Sequence, residues 1–194
     1  VPQIVYYVSA YCDLINSGEI YAGEKINVTV PTGNFGNIFA AFLAKQMGLP
    51  INRLVCASNR NNILTDFLET GTYDRNREFY TTMSPSMDIL ISSNLERLLY
   101  TLGGSELTSR LMKQLSTDGK YTIPADLKQA IDAHFTGLFC DEANTALEIK
   151  RTFCDDGYLV DTHTAVGLNC AKQYIERNHD GLKMLVASTA SPYK

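Results

Sequence analysis

The chain has 194 residues, of which 45% are hydrophobic and 20% charged, enough apolar material for one well-buried domain and too much for a disordered chain. A formal charge of −4, with no run of lysine or arginine, gives no electrostatic footprint for nucleic acid or for a membrane surface. We therefore expect a small-molecule ligand, with neither nucleic acid nor membrane as a partner.

The cysteines indicate a reducing compartment. They are odd in number, widely scattered and without a CxxC pair: Cys12, Cys56, Cys140, Cys154 and Cys170. This pattern argues against a disulfide framework and against a zinc site. We expect reduced thiols in a cytoplasmic protein and no bound metal.

The first predicted element is an amphipathic helix. Its apolar residues recur at helical spacing, at Ile4, Tyr7, Val8, Tyr11 and Ile15. The segment lacks the basic start of a signal peptide. Because the chain opens inside this helix and without methionine, we expect it to have been excised from something longer.

A βαβ unit follows. The β-branched run 26–30 predicts a strand, 36–47 a helix that Gly48 and Pro50 end, and 53–57 a second strand. Residues 59–70 predict the next helix. Such units require a parallel sheet covered by helices, and they bind ligands at the carboxyl ends of the strands. The fold class is therefore α/β, with helices on both faces of the sheet.

The second half of the chain is predicted to be rich in helix. Helices are expected over residues 86–102, 106–115, 125–133, 142–155 and 163–177, followed by a strand over 182–188. Residues 71–83 and 116–123 are predicted to be surface loops. The whole chain, 1–194, is expected to form one α/β domain with a helical insertion at about 84–160. The final strand needs a neighbour beyond it, so this end too is expected to be truncated.

The segment PTGNFGN, residues 31–37, lies between a predicted strand and a helix start. Gly33 and Gly36 can adopt positive φ, so that backbone N–H groups converge on an anion at the helix N-terminus. Asn34 and Asn37 can add amide donors, and Asn37 can cap the helix. The same letters are equally typical of a tight strand-to-helix turn. They match neither a P-loop nor GxGxxG.

This loop and the residues after it, IFAAFLAKQMGLPINRLVCASN, resemble the threonine synthase family of fold-type II pyridoxal-phosphate enzymes, whose fold is like that of tryptophan synthase β. Four further segments resemble that family in the same order: VPQIVYYVSAY, SPSMDILISSNLERLLY, DTHTAVG and STASPYK. Thr162 stands where the family usually has proline, and Ser191 where histidine is common. Contacts inferred from that histidine do not carry over.

The resemblance implies a site for pyridoxal phosphate. The cofactor phosphate would be held by Gly33, Asn34, Phe35, Gly36 and Asn37, with Phe35 contributing mainly its backbone. Thr189 would donate a hydrogen bond to the pyridine nitrogen, so that the ring need not be protonated. Without the resemblance, Thr189 reads as a turn residue at a strand end.

The resemblance also implies an activity, the conversion of O-phosphohomoserine and water to threonine and phosphate. The family's cofactor lysine would lie upstream of this chain, which is therefore expected to hold no catalytic residue and to be inactive alone. Lys45 is interpreted as a solvated residue. The alternatives are another fold-type II enzyme, such as an amino-acid dehydratase or a β-replacing synthase, or a non-enzymatic phosphate-binding module.

Two other segments are candidates for substrate contacts. The segment 84–88 opens the helix predicted over 86–102, and some of its residues, or of the residues that follow on the helix, could bind a phosphate or carboxylate: Ser92, Ser93, Asn94 and Arg97. Ser86 is also a plausible helix cap. His163 follows Asp161 and Thr162 at a helix entrance, where either earlier residue can cap. We expect a structural role for His163.

Overall fold

The computed structural model describes residues 2–193. Its elements in chain order are α1 (Ile4–Asn16), β1 (Ile26–Pro31), α2 (Gly36–Gln46), β2 (Ile51–Ser58), α3 (Ile63–Thr70), β3 (Thr72–Asp74), a 3₁₀ turn (Pro85–Met87), α4 (Leu95–Asp118), β4 (Lys120–Thr122), α5 (Ala125–Asp132), β5 (Phe135–Phe139), α6 (Glu142–Asp156), α7 (Thr162–Asn178) and β6 (Lys183–Val186). Within residues 2–193, no helix is both long and apolar enough to cross a membrane.

The central sheet has four parallel strands in the order β5-β2-β1-β6. All six residues of β1 are buried, as expected for a strand with a neighbour on each side and helices on both faces. Just beyond β6, the backbone N–H of Ala187 donates to the carbonyl of Thr29 in β1 at 2.9 Å. The segments that follow β1 and β6 therefore leave the sheet side by side, although they are far apart in the sequence.

Two apolar clusters cover the two faces of the sheet. The larger joins β1 and β2 to α1, α2, α3, α4 and α5. The smaller joins residues of β2 and β5 to the apolar side of α7, including Val166 and Cys170, and α6 packs on α7. The predicted α/β class, with a parallel sheet between helical layers, is confirmed.

The helix predicted over 86–102 is wrong in its first half. A short 3₁₀ turn and an irregular segment occupy this stretch, and α4 begins only at Leu95. The carboxylate of Asp88 explains the difference, since it accepts hydrogen bonds from the side chains of Asn59 and Thr82, both at 2.7 Å. These side-chain hydrogen bonds compete with helix formation at Asp88, because a helix would not place its carboxylate beside Asn59 and Thr82. Helix α4 then absorbs the helix predicted over 106–115, across a non-helical residue at Gly104.

Three short strands were not predicted. Strands β3 and β4 lie in the segments expected to be surface loops, and they pair antiparallel. Their central residues, Tyr73 and Tyr121, are buried and stack with ring centroids 5.4 Å apart. Alternation cannot reveal a strand of three residues.

Strand β5 lies within residues 84–160, the segment expected to form a helical insertion. This strand pairs with β2, so the segment contributes to the central sheet itself. Its glycine conceals it in the sequence, because glycine is unfavourable in strands. A Cβ at Gly137 would lie 2.9 Å from the Cα of Thr65, so glycine is required for α3 to pack on β5.

Candidate anion-binding site

The loop between β1 and α2 ends at Phe35, which occupies the N-cap position of α2 without a side-chain cap. Its backbone is left-handed, with φ 61° and ψ 1°. Positive φ was predicted at Gly33 and Gly36, but neither glycine adopts it. The sharp change of direction therefore occurs at Phe35, just before Gly36.

The side chain of Phe35 leaves the loop and enters the core. It is 1% exposed, and its ring centroid lies 5.7 Å from that of Phe135 in β5. Its backbone remains in the loop. Burial of the ring fixes the loop in a conformation that costs a non-glycine residue about 1–2 kcal/mol.

The loop presents unused backbone donors. No hydrogen bond within residues 2–193 is donated by the N–H groups of residues 33–37. The first helical bond of α2 is donated by Phe39 to the carbonyl of Phe35, at 3.1 Å. Free N–H groups at a helix N-terminus, with the positive end of the helix dipole, form an anion-binding concavity.

Glycine is needed at position 33 for close packing. A Cβ at Gly33 would lie 2.8 Å from the carbonyl oxygen of Ser86 and 3.2 Å from the Cα of Met87. A Cβ at Gly36 would lie 3.4 Å from the side-chain nitrogen of Asn94. The 3₁₀ turn thus lies directly against the loop and forms one wall of the concavity.

Asn37 is held by α1. The buried hydroxyl of Tyr7 donates to the Asn37 side-chain oxygen at 2.7 Å, which leaves the amide nitrogen free to donate elsewhere. Burial raises the pKa of Tyr7, so its hydroxyl stays protonated and remains a donor. Asn37 does not cap α2, whereas the side chain of Asn34 is exposed beside the loop.

The predicted loop residues and Thr189 meet at one cavity of about 280 Å³. Its ten lining residues are all uncharged: Gln3, Pro31, Thr32, Gly33, Asn34, Phe35, Gly36, Asn37, Ser86 and Thr189. Thr189 also lines two neighbouring cavities of about 540 and 710 Å³. Parallel pairing of β1 and β6 produces this meeting, because it places Thr189 beside the loop that follows β1.

Of the other predicted candidates, Ser92 and Asn94 contact the loop and Arg97 does not. Ser92 donates to the carbonyl of Gly33 at 2.8 Å, and the Asn94 side chain donates to the carbonyl of Asn34 at 2.8 Å. Arg97 instead lines a separate cavity together with Tyr100 of α4 and Phe39 of α2. It is not part of this site.

His163 and Asp161 do not line this cavity but line the neighbouring one of about 710 Å³, together with Ser86 and Thr189. His163 Nδ1 is 3.1 Å from the Asp161 carboxylate, and its Nε2 is 3.3 Å from the backbone N–H of Ser86. Asp161 caps α7 through the N–H groups of His163 and Thr164. Burial acts to raise the pKa of Asp161, but hydrogen bonds from Thr164 and His163 outweigh it and lower the pKa below its usual value.

Lys45 lies at the opposite end of α2 from the loop. Its ammonium donates to the carbonyl of Asn52, near the start of β2, at 2.8 Å. Lys45 was predicted to be solvated, but it is half-buried. Burial lowers its pKa most, and repulsion from Arg53 and Lys25 lowers it further. Lys45 does not reach the cavity.

Sequence reasoning missed two contributors to the site. Gln3, which lines the cavity, was not considered, and Tyr7, which holds Asn37, was predicted only as part of a helical apolar stripe. Ser86 was a candidate for a cap or for anion binding, but its place beside the loop comes from a turn that no local pattern predicts. A tyrosine on the buried side of a helix offered one usable signal, because its hydroxyl needs a partner.

Proteins of known sequence align with this chain over nearly its whole length. No protein-family model matches it. Threonine synthase-like 1 of Macaca fascicularis is 42% identical over 196 residues, which span 100% of this chain and 26% of that protein. Threonine synthase of Saccharomyces cerevisiae is 34% identical over 99% of this chain and 40% of its own length.

Solved structures show the same backbone. PLP-bound threonine synthase of Brucella melitensis superposes with a TM-score of 0.90 at 41% identity, over 98% of this chain and 40% of that one. The chain thus spans well under half the length of the relatives it matches.

Proposed function

We propose that this chain, which is homologous over its whole length to threonine synthases and shares their fold, holds pyridoxal phosphate within an enzyme that converts O-phosphohomoserine and water to threonine and phosphate. The observation that carries the proposal is the row of free N–H groups at residues 33–37, around a cavity that Thr189 also lines. Because the chain spans about two fifths of the Brucella and yeast enzymes, the activity is proposed for the whole protein.

The residues present fit the phosphate end of the cofactor. Phosphate is bound by backbone N–H groups at helix N-termini without any need for a cationic side chain, and this cavity has uncharged walls. Because Gly33 has no Cβ, the loop can pack closely against the 3₁₀ turn. The amide nitrogen of Asn37 adds a neutral donor that Tyr7 holds in orientation.

Thr189 fits the pyridine-nitrogen end. When bound, pyridoxal phosphate supplies an electron sink for carbanion chemistry. A hydroxyl at the ring nitrogen donates a hydrogen bond without imposing a charge, unlike a carboxylate, which favours the protonated ring. In this proposal Thr189 orients the ring and the loop binds its phosphate. The covalent lysine is supplied from outside this chain, since no lysine of residues 2–193 lines the cavity.

The first test measures affinity for pyridoxal phosphate in the full encoded protein by titration calorimetry. Asn37→Asp keeps the side-chain shape but replaces a donor beside the phosphate with a negative charge. We expect at least about tenfold weaker binding, equivalent to about 1.4 kcal/mol. Pyridoxal, which lacks the phosphate, should bind both proteins alike.

Asn144→Asp is the matched control, because Asn144 is an exposed asparagine in the first turn of another helix, α6. It should leave affinity unchanged. Equal affinity of the wild type and Asn37→Asp for pyridoxal phosphate would refute phosphate binding by residues 33–37. Release of phosphate from O-phosphohomoserine, with threonine as the organic product, then tests the reaction and separates it from dehydration of serine or threonine.

The thiols support a cytoplasmic location as part of the same proposal. All five cysteines are free, and Cys56, Cys140 and Cys170 are buried. Burial raises the pKa of Cys56 to about 12 and that of Cys140 to about 11, which keeps both thiols protonated and unreactive. Free thiols of this kind are typical of reducing compartments.

A further inference from the structure

Two carbonyl groups of the loop between β1 and α2 accept hydrogen bonds from residues outside the loop. Ser92 Oγ donates to the carbonyl of Gly33 at 2.8 Å. Asn94 donates to the carbonyl of Asn34 twice, from its side chain at 2.8 Å and from its backbone N–H at 3.1 Å. Both donors come from the short segment just before α4.

These bonds fix the direction of two N–H groups. In a trans peptide the C=O and N–H point in opposite directions, and residues 2–193 contain no cis peptide bond. With the Gly33 carbonyl directed at Ser92, the N–H of Asn34 points away from Ser92. With the Asn34 carbonyl directed at Asn94, the N–H of Phe35 points away from Asn94.

Asn94 bonds to the loop instead of capping α4. It occupies the N-cap position of α4, where asparagine normally accepts a bond from the helix N–H groups. Here its side chain makes no cap bond and donates to the loop instead. A residue needed only to start α4 would use its side-chain oxygen for the cap.

Ser92 is itself held in place by the core. Its backbone N–H donates to the hydroxyl of Tyr73 at 2.8 Å, and that hydroxyl donates to the carbonyl of Leu90 at 3.2 Å. Tyr73 is stacked on Tyr121 in the β3-β4 pair. The small second sheet thereby fixes the position of the serine that binds the loop.

We propose that Ser92 and Asn94 form a carbonyl clamp, a pair of positioning residues that aim the N–H groups of Asn34 and Phe35 at the cofactor phosphate. The clamp rests on the proposed function. A donor on each carbonyl also polarises its peptide unit and strengthens the hydrogen bond that the N–H at the other end can donate. Neither residue touches the reacting atoms.

The test compares Ser92→Ala and Asn94→Ala in the full encoded protein, with pyridoxal phosphate and pyridoxal as probes in calorimetry. Ser92→Ala should bind pyridoxal phosphate about tenfold more weakly, and Asn94→Ala about threefold, because the backbone N–H of Asn94 still donates to the carbonyl of Asn34. The pyridoxal affinity of both variants should stay within about twofold of wild type. Ser105→Ala, at an exposed serine on α4, is the control and should change neither affinity. Unfolding of each apo-protein in urea records stability separately.

The outcomes are distinguishable. If the wild type does not prefer pyridoxal phosphate to pyridoxal, the proposed function fails. If it does and the variants keep that preference, only the clamp is overturned, and the same conclusion follows if both affinities fall equally. Should Ser92→Ala fail to fold, Asn94→Ala decides alone, because Asn94 is half-exposed and its backbone bond to Asn34 is retained.

Discussion

Phe35 joins the candidate anion-binding loop, residues 31–37, to the hydrophobic core. A left-handed backbone at a bulky residue costs about 1–2 kcal/mol, and full burial of a phenylalanine ring contributes about 1.5–3 kcal/mol. Burial therefore outweighs the strain, and glycine at this position would relax the backbone but lose the anchor. The loop keeps its shape because its most strained residue is also its best packed.

Replacement of the Phe35 ring should destabilise the folded chain. Phe35→Ala leaves a cavity beside Phe135 and should lower the free energy of unfolding by about 3–5 kcal/mol, measured in urea. Phe153→Ala, at a ring that is 56% exposed, is the control and should change stability by less than about 0.5 kcal/mol. A small effect at Phe35 would show that the ring does not anchor the loop.

The glycines at 33 and 36 show how far local sequence reasoning extends. The residue types indicated a tight strand-to-helix loop with exposed donors, and the structure has one. The left-handed position could not be predicted, because glycine in this loop serves contact with the 3₁₀ turn, and the turn comes from residues about 50 positions away. Ser92 and Asn94 were candidates for substrate binding, and only the tertiary fold shows that they contact the loop carbonyls.

Among the elements, α7 has the best-defined start. Asp161 accepts from two backbone N–H groups and from the Thr164 hydroxyl, so its ionised form stabilises the helix entrance beside the cavity. Because its pKa is lower in the folded chain than in the unfolded one, ionisation of Asp161 favours the folded state. That stability is fully present above the unfolded pKa of about 3.9 and is lost as pH falls through the lower folded pKa.

Asp161→Ala should lower the free energy of unfolding by about 1 kcal/mol at neutral pH through loss of the cap. The deficit should shrink as the pH is lowered through the folded pKa of Asp161. Urea titrations across the acid range measure it, with Asp155→Ala, at the exposed end of α6, as control. A deficit that does not change with pH would contradict a role for the ionised carboxylate.

Long elements with a clear apolar period were predictable, and short ones were not. Helices α2, α6 and α7 and strands β1 and β2 lie close to their predicted bounds, since each has an apolar pattern and recognisable end signals. The start of α4 was misplaced because Asp88 forms bonds with residues remote in sequence. Strands β3 and β4 depend on pairing with each other, which periodicity does not report.

At the scale of the whole molecule, one close contact holds α7 against the sheet. A Cβ at Gly167 would lie 2.9 Å from Cγ of Pro31 and 3.2 Å from a methyl group of Val186, the last residues of β1 and β6. Gly167 therefore lets the helix lie over the two strand ends, after which come the candidate anion-binding loop and Thr189. Helix propensity alone would favour alanine there by about 1 kcal/mol.

Gly167→Ala tests which effect is larger. We expect overpacking to win and to lower the free energy of unfolding by about 1–3 kcal/mol, with weaker cofactor binding as β1 and β6 shift. Ser109→Ala, at an exposed residue of α4, is the control that reports helix propensity without a packing conflict. Increased stability of Gly167→Ala would show that the strand ends have room to move.

The combined hold of Phe35, Ser92 and Asn94 on one short loop bears on the thermodynamics of binding. The loop is preorganised: its ring is packed, and two of its carbonyls already have partners. An anion that enters has little backbone entropy to remove, so its hydrogen bonds are realised almost entirely as affinity. If the loop binds phosphate as proposed, recognition is closer to lock and key than to induced fit. Arrival and departure are then governed by access to the cavity rather than by rearrangement of its walls.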